Sequence, residues 1–107
     1  MSISNPLQGH PDGAALRKQA GAFLKKARTD AEVTQMELAQ AIGAQYYTII
    51  SQIEAGKARL PPDKTMIVAQ RLGWKPRAFY QRLMQYYDPY GWECLFGKDA
   101  EKGEKDR

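Results

Sequence analysis

The chain has a single cysteine, Cys94, so no intrachain disulfide can form and a reducing compartment is the simpler setting. It has a single histidine, His10, in a stretch of proline and glycine. Neither residue has a base or a metal-ligand partner at a recognisable spacing, and no glycine-rich phosphate loop is present. These absences argue against an enzyme and imply no metal and no cofactor. No apolar run approaches the ~20 residues that span a bilayer. The first residues lack the basic-then-apolar layout of a secretion signal. No segment alternates with period two, so no sheet of consequence is expected. The expectation is a soluble, cytoplasmic, all-α protein with no membrane partner.

What is present is a modest basic surplus. Lys plus Arg number 16 against 12 Asp plus Glu. The last ten residues, 98–107, hold four of each sign, so the surplus sits in the body of the chain. That balance permits nucleic-acid binding without demonstrating it. At 107 residues the chain suits one domain with a thin core. Residues 1–13 read as a flexible loop, 14–88 as the helical body, 89–97 as an aromatic extension, and 98–107 as a disordered charged tail.

Five helical patterns lie in the body. Over 14–29, Leu16, Ala20, Phe23, Leu24 and Ala27 share one face. The second begins at Thr34, where Thr34 and Glu37 make a Thr-x-x-Glu capping box. Leu38, Ala39 and Ile42 form its inner stripe, and Gly43 stops it. The third covers 46–55, with Tyr46, Ile49, Ile50 and Ile53 inward and Tyr47, Thr48, Ser51 and Gln52 outward; Gly56 stops it. Asp63 is the expected N-cap of the fourth, whose inner face is Thr65, Val68, Ala69 and Leu72, and Gly73 closes it. The fifth starts near Pro76, buries Phe79, Leu83 and Tyr86 or Tyr87, and ends at Asp88-Pro89.

The second and third patterns are two short helices joined by a tight turn. One side of the third is apolar and the other carries small polar and hydroxyl groups, which suits a helix that packs with one face and reads base edges with the other. Several residues then fall in an ordered set: Leu24 and Arg28; Thr34-Gln35 with Glu37-Leu38-Ala39; Gly43; Ile50, Ser51, Ile53 and Glu54; Gly56-Lys57; Pro61; and Ala69 to Leu72-Gly73. Over residues 16–80 the chain resembles the Cro/C1-type helix-turn-helix proteins, the XRE family of phage repressors and small bacterial regulators. The resemblance implies a five-helix, lambda-repressor-like domain, here with an aromatic C-terminal extension. Between Gly43 and Gly56 this chain has one residue more than the family's usual spacing, which falls at 44–46. Whether Tyr46 or Tyr47 faces DNA is left open, with the helical wheel placing Tyr46 in the core.

The resemblance implies a transcriptional regulator that binds double-stranded DNA sequence-specifically as a homodimer on an inverted repeat, its third helix in the major groove. Tyr47, Thr48, Ser51 and Gln52 are then the base-reading residues. They include no Arg or Lys, so A·T-leaning or shape readout is expected. Gln35 braces a phosphate at the first turn of the second helix. Lys57, Arg59 and Lys64, with Lys18 and Lys25, contact the phosphate backbone. Arg28 and Glu54 form a structural ion pair. Tyr90, Trp92, Leu95 and Phe96 cover helices one and five or form the dimer interface. A protein-interaction adaptor or antitoxin, with a protein partner bound by the aromatic extension, is the alternative.

Overall fold

The computed structural model describes residues 13–103, and every regular element among them is helical. Helix α1 spans Gly13–Asp30, α2 Gln35–Ala41 and α3 Thr48–Glu54. A 3₁₀ turn at Pro62–Lys64 leads into α4, Thr65–Arg71. Helix α5 spans Pro76–Tyr87 and α6 Pro89–Phe96. There are thus six α-helices where five were expected. Asp88-Pro89 does end α5, but it also starts the next helix. The Asp88 carboxylate accepts from the Gly91 N–H at 3.0 Å, and Pro89 opens the helix where its missing N–H costs nothing. Residues 98–103 follow as turns, with Lys102 and Asp99 paired at 3.2 Å. The loop expected at 1–13 falls outside the described residues except for Gly13, which opens α1, and residues 104–107 of the tail lie outside them too.

The core follows the apolar stripes. Leu24 of α1, Leu38 of α2, Ile50 and Ile53 of α3, Val68 of α4 and Phe79 of α5 are fully buried. Helix α1 packs on α3 and α5, α4 packs on α2 and α5, and α2 packs on α3. At the far side Phe23 meets Trp74 edge-on at 5.3 Å and Phe79 at 5.5 Å, with Arg82 over the Phe23 ring. Each such ring pair adds ~0.5–1.5 kcal/mol beyond area burial.

The first four helices stop in the same way. After α2, the Gly43 N–H donates to Gln40 O and the Ala44 N–H to Ala39 O; after α3, Gly56 donates to Ile53 O and Lys57 to Gln52 O. The pattern recurs after α4 at Gly73 and Trp74, and after α1 at Glu32 and Val33. It closes the free carbonyls of the last turn and needs one residue of positive φ. That residue is glycine at 43, 56 and 73, and Glu32, at φ 58°, after α1.

Two expected helix starts are corrected. Asp63 does not cap α4: Pro61-Pro62 set up a 3₁₀ turn that contains Asp63, so α4 begins two residues later with no side-chain cap. Helix α3 begins at Thr48 rather than at 46. Tyr46 therefore precedes the helix and is out of phase with Ile50 and Ile53. It is 68% exposed instead of in the core.

Candidate nucleic-acid interface

The pair α2–α3 is fixed from below by one carboxylate. The capping box forms as expected: the Glu37 N–H donates to Thr34 Oγ1 at 3.0 Å and the Thr34 N–H to Glu37 Oε1 at 2.9 Å. The Thr34 backbone N–H holds the Glu37 carboxyl below its ordinary range, with the Thr34 hydroxyl and Arg71 adding to the effect against slight desolvation. This sets the direction of the first turn of α2 and so of Gln35. The Gln35 amide Nε2 donates to Glu54 Oε1 at 3.0 Å. Arg28 grips the same carboxylate from α1, through Nε to Oε2 at 2.6 Å and Nη2 to Oε1 at 3.1 Å, while its Nη1 donates to Val33 O at 2.9 Å. The two charged side chains are only 10% and 4% exposed. A forked, charge-assisted pair with its remaining polar atoms occupied is the form in which a buried ion pair is tolerated. Gln35, expected to brace a phosphate, has its amide turned toward Glu54 and braces α3.

The C-terminal end of α3 is also seated sterically. Gly21 of α1 is buried, and a Cβ there would collide with the carbonyl oxygens of Ile53 and Glu54. Gly56 lies so near α1 that a Cβ would stand 2.8 Å from Lys18 Cα. Lys57 and Lys18, both exposed, are thus brought to the same end of α3.

With Ile50 and Ile53 buried and Ile49 half-buried, the opposite face of α3 is turned out. Thr48 and Gln52 are exposed, and among the described residues their side chains make no hydrogen bond. Ser51 is half-buried and its hydroxyl donates to Thr48 O at 2.9 Å, which leaves its lone pairs for a partner. Tyr47 stands at the N-cap position, exposed. No charged residue occurs between Glu37 and Glu54, and both of those carboxylates are occupied by protein donors. The turn and α3 up to Ile53 therefore carry no acidic side chain, with Lys57 beyond them.

The remaining basic residues divide. Lys25 is exposed on α1, and Lys64 is half-buried in the 3₁₀ turn. Arg59 is tied to α5: its Nη2 donates to Tyr87 O at 3.2 Å and its guanidinium lies 4.6 Å over the Tyr87 ring. The Tyr87 hydroxyl accepts from the Leu60 N–H at 3.1 Å. Burial pushes the Tyr87 phenol up, only partly offset by the Leu60 N–H and by Arg59. Arg59, Leu60, Thr65, Tyr80, Met84 and Tyr87 line an apolar cavity of about 340 Å³ between this loop and α5. Sequence reasoning missed this contact, because a basic, proline-kinked loop carries no signal that its arginine faces a helix 28 residues away.

The aromatic extension forms α6, which packs along α5 and buries none of its residues fully. Trp92 and Phe96 are half-buried against each other at 6.0 Å, while Tyr90 and Leu95 are exposed. Cys94 is exposed on the same helix. Among the described residues no group of three His, Cys, Asp or Glu side chains converges, and no helix is long and apolar enough to cross a membrane. No protein-family model matches the chain, and no curated protein matches it.

Proposed function

We propose that the chain is a sequence-specific double-stranded DNA-binding regulator of the Cro/C1 helix-turn-helix type, with α3 as the reading helix. One observation carries the reading: α3 is anchored on its apolar side and by Glu54, while its other side presents Thr48, Ser51 and Gln52 in a stretch without acidic side chains. Gln52 offers the bidentate pairing that suits adenine, and Thr48 a methyl and a hydroxyl for thymine or either base. Lys57 and Lys18 at the far end of α3 supply phosphate contacts, with Lys25 and Lys64 extending them. Arg59 serves by holding the loop as well as by its charge. Two copies acting together give the site length that one module lacks.

Selection of bound duplexes from a random pool, at stated salt, tests the reading. The expected outcome is an enriched A·T-leaning inverted repeat whose half-sites lie about one helical turn apart. Enrichment of nothing over the starting pool would overturn it. A second reading, a protein-interaction adaptor, is favoured by one feature alone, the uncovered apolar side of α6 with Leu95 60% exposed.

A further inference from the structure

The turn between α2 and α3 carries a feature that base readout by α3 leaves unused. Tyr46 is 68% exposed and Tyr47 48% exposed, side by side just before the first residue of α3. Met36, on the first turn of α2, is 56% exposed. Among the described residues neither tyrosine side chain makes a hydrogen bond, ion pair or ring contact. Large apolar side chains left in water at the end of a helix have no folding role, since burying each would be worth ~1.5–3 kcal/mol. The length of this turn is what delivers Tyr46 there: the chain leaves the left-handed Gly43, spends residues 44–47 outside any helix, and enters α3 only at Thr48.

Resting on the DNA-binding reading above, we propose that Tyr46 is a second specificity-determining finger, whose ring packs on thymine C5-methyl groups in the major groove beside the bases read by Thr48 and Gln52. Three features select this partner. Residues 38–53 include no acidic side chain to repel a duplex, and a lysine pair at the far end of α3 would attract one. Its side chains from 44 to 53 include no cation, so affinity for guanine is not built in, whereas thymine methyls are the one apolar group on the major-groove edge. Tyrosine also suits a surface exposed before binding, because it offers a large rigid contact with few torsions to freeze.

The test uses the full chain and the duplex selected by wild type, in two forms: with thymine, and with deoxyuridine at every thymine. A scrambled duplex is the control. Wild type is expected to lose about fourfold in affinity for each methyl it covers when uracil replaces thymine. Tyr46→Ala should bind the thymine duplex more weakly than wild type and discriminate less between the two duplexes, keeping only what the Thr48 methyl contributes. Tyr46→Phe, which keeps the ring, should retain the discrimination. Tyr46→Ala with wild-type affinity and wild-type discrimination overturns the proposal. So does loss of discrimination in Tyr46→Phe, which would assign the effect to the hydroxyl and not to the ring. Wild type binding selected and scrambled duplexes alike would overturn the DNA-reading function itself, and it is seen before any variant is made.

Discussion

Glu54 is the residue on which the arrangement of three helices turns, because α1, α2 and α3 meet at its carboxylate. Replacing Arg28 with Met should leave that carboxylate buried with only Gln35, at a cost of ~3–5 kcal/mol in chemical denaturation. Gln35→Ala, which removes one bond to a charged acceptor, should cost about 1.5–3 kcal/mol. A loss below 1 kcal/mol for Arg28→Met would mean that the pair is solvated. Glu32 points the other way. It holds φ 58° without being glycine, a conformation that costs an L-residue ~1–2 kcal/mol, so Glu32→Gly should raise stability by up to ~1 kcal/mol despite glycine's greater unfolded entropy. Thermal melting checks it, and an unchanged or lower midpoint would show that the turn is unstrained. At this scale the sequence was legible where residue types constrain one another. Thr34 with Glu37 is recognisable as a pair from its spacing, whereas Arg28 with Glu54 came only through the family resemblance. Tyr46 was not legible, because a helical wheel assumes a helix, and Tyr46 lies two residues before one begins.

Glycine marked three helix ends correctly, at 43, 56 and 73, and the fourth was invisible because a glutamate fills the same backbone slot. Helix α6 was hidden in the opposite way. Asp-Pro signals a stop, yet the same two residues are a good N-cap and a good first residue, and nothing in their identities says which use wins. For α3, the expected consequence of its outward face is that Gln52→Ala and Thr48→Ala each weaken the selected site by roughly 1–3 kcal/mol with the fold intact. Titration of both variants by circular dichroism and by DNA binding separates the two effects. Two variants that bind as wild type does would move the reading surface elsewhere. Helix α5 carries a pH dependence. Tyr87 has a raised phenol in the folded chain, so the native state keeps its proton longer than the unfolded state does. The resulting stability is complete below the ordinary tyrosine value of about 10 and is lost as pH rises through the folded one. Tyr87→Phe should flatten that part of the alkaline decline. It should also cost ~1–3 kcal/mol at neutral pH, because the Leu60 N–H loses its acceptor. Urea melts across pH 7–11 measure both.

For the whole molecule the net charge of +4 is small, so on the proposed reading any long-range attraction to DNA would come from where the charges lie and not from their number. Lys57 is exposed and its side chain makes no hydrogen bond, ion pair or ring contact among the described residues, whereas Arg59 is engaged with Tyr87. Lys57→Ala should therefore lower affinity for every duplex and reduce the salt slope by about one. Arg59→Ala should change the slope less and cost stability instead. Equal slopes in wild type and Lys57→Ala would remove this loop from the interface. The class of fold was legible at this scale from helical spacing and the absence of alternation. The placement of α6 along α5 was not, since an aromatic helix has the same sequence whether its partner is the same chain or another.

Helix α3 is packed along its length through Ile50 and Ile53, but its side-chain hydrogen bonds to other helices are gathered at one end. Its last residue is clamped by Arg28 and Gln35, and the turn after it lies against Lys18, but its first turn has no side-chain cap and follows a run of exposed tyrosines. Such a helix is pinned by packing in the middle and by hydrogen bonds at its tail. Its leading amides can open to solvent by fraying alone, while those at the tail open only when the clamp does. On the proposed DNA-binding reading, the end that would enter a groove first is then the less constrained one, and any ordering on recognition would fall mainly on the residues before Ile50.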